Sequence, residues 1–362
     1  MESEGCLEGA METTIKAERR PALKKKVAYS IAIIGATGAV GKETLEIMEE
    51  RSFPVEELRL YASKRSAGER LSCGKVSGVV RELEDGVDLS GVDIAFVSAT
   101  DEISREWCPK IAAAGGIAVD DSAVFRMDPD VPLVVPEVNE DALGGHKGIV
   151  AIPNCTTTPL VMVLAPLHRA AGIKRVVVST YQSVSGTGKK AMDELFNQTR
   201  DLLAFREVEP EVYPHQIAFN CIPHIGSFSE AGDSSEEVKI VRETRKILSL
   251  PDLLVTSTTV RVPVFRCHSE AVNVELERAL SPNEARALLA EQPGVMVYDD
   301  PGRKIYPHPI AGAGKDEVFV GRIRRDDSVK HGLNLWLVSD NLRKGAALNA
   351  IQIAEALIKR AV

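Results

Sequence analysis

Short apolar runs alternate with helical patterns along the first part of the chain. Residues 27–34 are apolar and rich in β-branched side chains, which is typical of a strand buried on both faces. A glycine-rich loop follows this run, and the next helical pattern covers residues 42–50. Further strands are predicted over residues 58–62, 92–97 and 117–119, and a further helix over residues 103–113. The alternation predicts a doubly wound α/β domain with a parallel sheet.

Beyond about Ile152 the pattern contains more strands than helices. The predicted strands cover residues 175–181, 254–264, 271–277 and 317–323. The predicted helices cover residues 160–170, 189–205 and 236–248. This balance predicts an α+β domain with a large mixed sheet. The last segment, at residues 342–361, has the pattern of an amphipathic helix that packs back on the first domain.

The same pattern sets the expected domain boundaries. The first residues are polar and end in three lysines, so we predict a disordered tail over residues 1–26. A Rossmann-like domain is predicted over residues 27–153, completed by the C-terminal helix at residues 340–362. The second domain is predicted over residues 154–339.

Composition and charge exclude several classes of partner. The chain has 362 residues, a formal net charge of -8 and 5% aromatic residues, which disfavours binding to nucleic acid or to anionic membranes. No apolar run approaches the roughly 18 residues that a membrane-spanning helix needs. The 6 cysteines contain no C-x-x-C pair, which predicts free thiols in a reducing compartment and no metal site. We therefore expect a cytoplasmic enzyme that acts on a small molecule.

The glycine-rich loop at residues 35–41 reads G-A-T-G-A-V-G between a predicted strand and a predicted helix. Glycines let the backbone approach a pyrophosphate, and the following helix N-terminus favours its charge. An NAD enzyme carries an acidic residue about 20 positions later. This chain instead has Ser63, Lys64, Arg65 and Ser66 there, and cations with hydroxyls suit the 2′-phosphate of NADP. The alternative is a structural turn followed by solvated basic residues.

Cys155 precedes the apolar helix predicted over residues 160–170. Asn154 is a good N-cap, and the positive end of a helix dipole lowers the pKa of a neighbouring thiol. Cys155 is therefore a candidate nucleophile, and the alternative is a small buried apolar side chain.

A thiolate nucleophile needs a base, and the local sequence leaves His268 and His224 as candidates. Arg261 and His268 are seven positions apart, so on one continuous strand their side chains point to opposite faces. Both serve one site only if the strand breaks at Pro263 or just after it.

Each of three further features has a purely structural interpretation beside a functional one. Glu236 and Lys239 share a face at a helix start, where a surface ion pair is the common outcome. Arg126 lies in a polar segment typical of an exposed loop. Residues 185–189 fit either an anion-binding cradle or a simple turn at the start of a helix.

Together these segments resemble the aspartate-semialdehyde dehydrogenases over nearly the whole chain from about Val27. The resemblance rests on stretches at residues 33–41, 126–139, 153–155, 180–186, 216–220 and 339–347. These stretches follow one another in the order of the family, which makes the resemblance specific.

The resemblance places a reaction centre on named side chains. Cys155 matches the nucleophile of the family, His268 its acid/base, and Gln182 the residue that positions the substrate beside the thiol. Arg261 matches the residue that binds the substrate carboxylate, and Glu236 matches the residue that binds its amino group. The pair Arg126 and Lys239 matches the residues that bind the phosphate. The matched cofactor contacts are Gly35, Thr37, Gly38, Ala39, Val40, Ser63, Arg65, Ser66, Ser185, Gly186 and Asn341.

The resemblance also implies an activity and its context. The reaction is the NADP-dependent reductive dephosphorylation of L-aspartyl-4-phosphate to aspartate semialdehyde through a thioester on Cys155. It serves the biosynthesis of lysine through diaminopimelate, and of threonine, methionine and isoleucine. The family implies a homodimer, located in the cytoplasm, or in plastids if the chain is from a plant or alga.

Two alternatives to this activity stay open. One is an enzyme with the same thioester chemistry on another acyl group, such as N-acetylglutamyl phosphate or malonyl-CoA. Glu236 and Arg261 argue against it, because they suit a free amino group and a free carboxylate. The other is a non-catalytic NADP-binding homologue, which the intact set of candidate catalytic residues disfavours.

Overall fold

The structure is a computed structural model that describes residues 23–362. Its first sheet contains β1 (Tyr29–Ile34), β2 (Val55–Ala62), β3 (Arg70–Cys73), β4 (Val76–Glu82), β5 (Ile94–Val97), β6 (Ile117–Asp120) and β7 (Ile149–Ala151). The strand order is β3-β4-β2-β1-β5-β6-β7, and every pairing is parallel except that of β3 with β4. The chain order reverses on either side of β1, which confirms the predicted doubly wound sheet.

The second sheet is mixed, as predicted. It contains β8 (Ile173–Gln182), β9 (Leu254–Arg261), β10 (His268–Leu276), β11 (Val295–Val297), β12 (Val318–Asp326) and β13 (Gly332–Ser339). The strand order is β11-β12-β13-β10-β8-β9, with parallel pairing of β8 to β9 and of β11 to β12. The other pairings are antiparallel.

Helices cover these sheets. They are α1 (Ala39–Glu50), α2 (Asp101–Ala113), α3 (Pro136–Asn139), α4 (Thr157–Ala171), α5 (Lys189–Leu203), α6 (Ser235–Leu248), α7 (Pro282–Glu291), α8 (Pro309–Gly312) and α9 (Leu348–Lys359). In α4 every residue from Thr157 to Leu167 is buried, because the helix packs between the second sheet and α6 and α7. The residues just before α4 are thereby held against the interior of the protein.

The C-terminal helix packs on the first sheet, as its amphipathic pattern predicts. Apolar side chains of α9, such as Leu348, Ile351 and Ile353, share a core with Ile31 and Ile33 of β1. A π-helical turn at Arg343–Ala347 precedes α9. The C-terminal segment therefore connects the end of the second sheet to the core of the first.

The predicted tail lies mostly outside the described residues, which begin at Leu23. Leu23 is buried in the core of the first sheet, and Lys26 forms an ion pair of 2.7 Å with Asp93. The packed part of the chain therefore includes residues 23–26. Within residues 23–362, no helix combines the length and the apolar character needed to cross a membrane.

Candidate active site

The ends of three neighbouring strands bring Gln182, Arg261 and His268 together. Gln182 ends β8 and pairs with Arg261, which ends β9. His268 begins β10, which runs antiparallel along the other edge of β8. The chain thus leaves the sheet after Arg261 and re-enters it on the far side of β8. Both side chains therefore belong to one end of the sheet, although they are seven positions apart.

Gly186 lies against both Arg261 and His268. A Cβ on Gly186 would stand 3.3 Å from Arg261 NH1 and 3.3 Å from His268 Nε2. The other candidate base, His224, stacks on Phe228 with a ring-centroid distance of 4.5 Å. His268 is therefore the histidine that the fold places beside Arg261.

Cys155 joins this site through Asn154. The Cys155 Sγ lies 3.9 Å from Asn154 Oδ1, and Asn154 Nδ2 donates to Glu236 Oε1 at 2.9 Å. Thr156, not Asn154, is the N-cap of α4, and the Thr156 amide donates to Asn154 Oδ1 at 3.0 Å. The N-cap thus lies two residues after the predicted Asn154, and the helix begins at Thr157, three residues before the predicted span 160–170. Asn154 fixes the loop that carries the thiol.

The π-helical turn approaches Cys155 from the other side. A Cβ on Gly345 would lie 3.0 Å from the Cys155 Cβ and 3.2 Å from its Cα. A side chain at position 345 would force one of the two segments to shift by a few tenths of an ångström. The position of the thiol therefore depends on the backbone of the C-terminal segment.

Glu236 connects the substrate-binding candidates. Its Oε1 accepts hydrogen bonds from Asn154 Nδ2 and, at 3.0 Å, from Gln182 Nε2, while its Oε2 lies 3.4 Å from Lys239 Nζ. The predicted ion pair with Lys239 is present, but Glu236 is only 6% exposed and is not a surface residue. Although burial acts against ionisation, Lys239 and the hydrogen bonds hold the pKa of Glu236 below its usual value. Glu236 is therefore a buried carboxylate that carries its charge.

Arg126 is buried, and its predicted exposed position is wrong. Its guanidinium is 6% exposed, donates to Glu243 Oε1 at 3.0 Å and donates to the Asp121 carbonyl at 2.8 Å. Glu243 Oε2 in turn accepts from the Asn154 amide at 2.7 Å. The Nε of Arg126 is buried and has no hydrogen-bond partner among the described residues. A buried guanidinium with a spare donor suits an anionic ligand.

The pKa values of Cys155 and His268 do not fit the activated thiol that the sequence predicts. Burial, reinforced by the charge of Glu236, raises the pKa of Cys155 to about 12. Burial and the neighbouring Arg261 hold the pKa of His268 well below its usual value. The protein therefore holds a neutral thiol and a neutral imidazole at pH 7.

The glycine loop has the form of a phosphate cradle. Gly35 has a φ of 88°, and a Cβ there would overlap the carbonyl of Ser98. Gly38 is the N-cap of α1, with no side chain capping the helix, and Ala39 and Val40 form its first turn. The free amides at this helix start suit a pyrophosphate, as the dinucleotide-binding motif requires.

The other predicted cofactor contacts fall into two groups. Beside the glycine loop, Thr37 Oγ1 donates to Ser66 Oγ at 3.1 Å; exposed Arg65 lies in the same short turn, Lys64–Ser66, and exposed Ser63 precedes it. Beside His268, Ser185 Oγ lies 3.1 Å from Asn341 Oδ1, and Gly186 follows Ser185. The first group fits the adenine-side phosphate of a dinucleotide, and the second lies at the reaction centre.

Sequence reasoning missed Glu243, Ser183 and Asp121. Glu243 follows Glu236 by seven positions on α6, so the two lie on one helix face with Lys239. The helical period was therefore the signal for Glu243. Ser183 contacts His268 and Arg261 through its backbone, which residue type does not reveal.

The fold and the site define a two-domain, nicotinamide-dependent dehydrogenase. Family models described as semialdehyde dehydrogenase, NAD binding domain, and semialdehyde dehydrogenase, dimerisation domain, match residues 30–146 and 164–344. The aspartate-semialdehyde dehydrogenase of Aquifex aeolicus is 51% identical over 334 residues, covering 91% of this chain and 98% of the relative. The chain belongs to the aspartate-semialdehyde dehydrogenase family. It is thus an oxidoreductase of amino-acid biosynthesis with a nicotinamide dinucleotide cofactor.

Solved structures agree with this assignment. The aspartate semialdehyde dehydrogenase II of Vibrio cholerae, complexed with ASA, superposes with a TM-score of 0.89 at 44% identity, covering 92% of this chain and 99% of that one. The Candida albicans enzyme, solved with NADP, superposes with a TM-score of 0.71 at 25% identity, covering 92% and 99%.

Proposed function

We propose that this chain catalyses the NADP-dependent reductive dephosphorylation of β-aspartyl phosphate to aspartate semialdehyde through a thioester on Cys155. The observation that carries the proposal is the convergence of Asn154–Cys155, Gln182, Glu236 and Arg261 on one buried site. The ASA complex of the Vibrio cholerae relative and the NADP complex of the Candida albicans relative support the substrate and the cofactor.

Charged groups of the site match the charged groups of this substrate. The Arg261 guanidinium suits a planar carboxylate, and its Nε is buried without a partner among the described residues. Glu236 is ionised and suits the ammonium group. Arg126 and Lys239 supply positive charge for the phosphate, and Arg126 Nε is equally free of partners within residues 23–362. N-acetylglutamyl phosphate has no ammonium group for Glu236, which disfavours that alternative.

The first chemical step uses the thiol of Cys155. Its Sγ forms a bond to the acyl carbon, and the bond between this carbon and the phosphate oxygen breaks. The phosphate leaves with the electron pair and takes the thiol proton, while Arg126 and Lys239 stabilise its charge. The product of this step is a thioester on Cys155.

The second half of the reaction needs the cofactor. NADPH, when bound, supplies the hydride that reduces the acyl carbon. The bond between this carbon and the Cys155 Sγ would then break, the sulfur would keep the electron pair and take up a proton, and the aldehyde would leave. The glycine loop with Thr37 and Ser66 would hold its phosphates, and Lys64 with Arg65 would favour the 2′-phosphate of NADP over NAD. His268 exchanges protons with the reacting oxygen.

The proposal includes the assembly and setting that the sequence predicts. We expect a homodimer formed through the second sheet, in line with the matched dimerisation domain. The semialdehyde product would serve lysine, threonine, methionine and isoleucine biosynthesis, and the cytoplasm is the expected location.

The decisive experiment is NADP reduction by aspartate semialdehyde with and without inorganic phosphate. Phosphate-dependent turnover that Cys155→Ala abolishes, and that Cys221→Ala retains, supports the proposal, because Cys221 is an exposed thiol that is not among the candidate site residues. Absence of turnover in a wild-type protein that still binds NADP would contradict it and point to another acyl substrate or to a binding protein.

A further inference from the structure

A closed set of hydrogen bonds lies behind the imidazole of His268. The Nδ1 of His268 lies 3.0 Å from the backbone N of Ser183 and 3.1 Å from Ser183 Oγ. The hydroxyls of Ser183 and Ser185 are 3.0 Å apart, and each lies 3.1 Å from Asn341 Oδ1. The backbone N of Cys267 also donates to Asn341 Oδ1, at 3.1 Å. All five residues are buried.

The direction of the hydrogen bonds in this cluster determines which ring nitrogen is protonated. A backbone N–H only donates, so Nδ1 of His268 must offer its lone pair to the Ser183 amide. The Cys267 amide and the Ser185 hydroxyl donate to Asn341 Oδ1, and the Ser183 hydroxyl donates to either His268 Nδ1 or Asn341 Oδ1. Every hydrogen of the cluster then has an acceptor. A hydrogen on Nδ1 would point at the Ser183 N–H and replace this 3.0 Å hydrogen bond by a contact between two donors.

We infer that the Ser183–Asn341 cluster fixes His268 as the Nε2–H tautomer, with Asn341 as a positioning residue for the imidazole. The ring then presents a donor at Nε2 beside Gly186, and this Nε2 has no partner among the described residues. The catalytic consequence rests on the proposed function. The Nε2–H donates to the acyl oxygen, where negative charge develops, and His268 does not take the thiol proton, which leaves with the phosphate.

Asn341 also holds the backbone of Cys267, the residue directly before His268. Cys267 has a φ of 74°, a left-handed conformation that is costly for a residue with a side chain. The hydrogen bond from the Cys267 amide to Asn341 Oδ1 holds that conformation directly before His268. The Oδ1 of Asn341 thus orients the imidazole, and its Nδ2 is the group that a cofactor would contact.

The tautomer is measured directly by NMR on protein labelled with ¹⁵N-histidine. Two-bond correlations between ring hydrogens and ring nitrogens distinguish the two neutral tautomers, and loss of one signal set in His268→Asn assigns His268 among the 7 histidines. We expect the Nε2–H pattern in the substrate-free wild-type protein. A Nδ1–H pattern, or fast averaging between both, would overturn the inference. The readout needs no substrate, so its failure is separate from failure of the proposed function.

Two variants of Asn341 test the positioning role. Asn341→Asp keeps the oxygen acceptor and loses the amide donor, whereas Asn341→Ala loses both. Both variants lose the Nδ2 group, so they should share any rise in KM for NADP. We expect only Asn341→Ala to mix the tautomers and to lower kcat by about 100-fold, as for a misplaced catalytic group. Asn341→Asp should retain the Nε2–H pattern. An unchanged tautomer in Asn341→Ala, with both variants raising only KM for NADP, would make Asn341 a cofactor contact alone.

Discussion

At the scale of single residues, two opposing effects set the reactivity of Cys155. The thiol precedes α4, and a helix N-terminus stabilises a neighbouring anion by up to about 2 kcal/mol. Burial beside Glu236 acts in the other direction and raises the pKa of Cys155 to about 12. Burial prevails because the loop that carries Cys155 is enclosed by α4, Glu236 and the turn at Gly345. In the substrate-free protein the Cys155 thiol is therefore neutral, and it loses its proton only when it reacts with the substrate.

This balance predicts slow alkylation of Cys155 at neutral pH. The rate with iodoacetamide should rise steadily as pH increases to about 10, because the thiolate fraction grows throughout that range. Peptide mapping by mass spectrometry separates Cys155 from exposed Cys221, which serves as the internal reference. A rate for Cys155 that already reaches a plateau near pH 7 would show a thiolate stabilised by the helix dipole.

The buried pair of Arg126 and Glu243 leads to a second prediction. Arg126→Ala leaves the Glu243 carboxylate buried without its partner, so we expect a loss of about 3 kcal/mol in the free energy of unfolding. Arg126→Ala combined with Glu243→Gln should recover part of that loss, because no buried charge is left unpaired. Urea unfolding of the wild type, both single variants and the double variant measures the coupling. If the losses in the free energy of unfolding of the two single variants simply add up in the double variant, Arg126 and Glu243 are not coupled. Phosphate-dependent turnover should stay low in both proteins that lack Arg126.

At the scale of elements, the strands that are buried on both faces could be predicted from the sequence. Strands β1, β5 and β6 are buried on both faces and form continuous apolar runs. The hairpin of β3 and β4 lies at a sheet edge with many exposed residues, so its sequence shows no such run. The strand break before His268 follows from strand order, since β9 and β10 flank β8 on opposite sides. Local sequence carries no information about that order.

The π-helical turn predicts a cost for a single methyl group at Gly345. Gly345→Ala places a Cβ 3.0 Å from the Cys155 Cβ, so either the turn or the thiol loop must move. The shift needed is a few tenths of an ångström, so we expect kcat to fall by less than the roughly 100-fold that a displacement of about 1 Å costs, while NADP binding should change little. Steady-state kinetics and NADP titration measure the two effects. Gly145→Ala is the matched control, because its added Cβ meets open space. Equal kcat in the two variants would exclude this role for the turn.

At the scale of the whole molecule, ion pairs link the cofactor cradle to the reaction centre. Glu43 of α1 accepts from Arg266 at 2.7 Å, and Arg266 also pairs with Asp340 at 2.6 Å. Arg343, in the π-helical turn, lies 3.2 Å from the same carboxylate of Glu43. The helix that follows the glycine loop is thus joined to the residues beside His268 and Asn341.

Glu270 makes the stability of the whole molecule depend on pH. It lies two positions after His268 on the same face of β10, and both its carboxylate oxygens are buried without partners among the described residues. Burial raises the pKa of Glu270 well above its usual value, so the folded protein keeps this carboxyl protonated. The unfolded chain ionises the same group above about pH 4.3. Below that pH, Glu270 therefore does not lower the free energy of unfolding. As pH rises from there toward the pKa of Glu270 in the folded protein, the free energy of unfolding falls, because only the unfolded chain ionises this group.

The Glu270→Gln variant removes this dependence. Between about pH 5 and pH 8 the wild type should lose up to about 1.4 kcal/mol of unfolding free energy per pH unit relative to the variant. Urea unfolding across this range measures the difference, which should change steadily in favour of the variant as pH rises. Glu275→Gln, on the partly exposed face of the same strand, controls for the loss of one carboxylate. Parallel stability curves for the wild type and Glu270→Gln would mean that Glu270 is ionised in the folded protein, with a charge partner close enough to stabilise it.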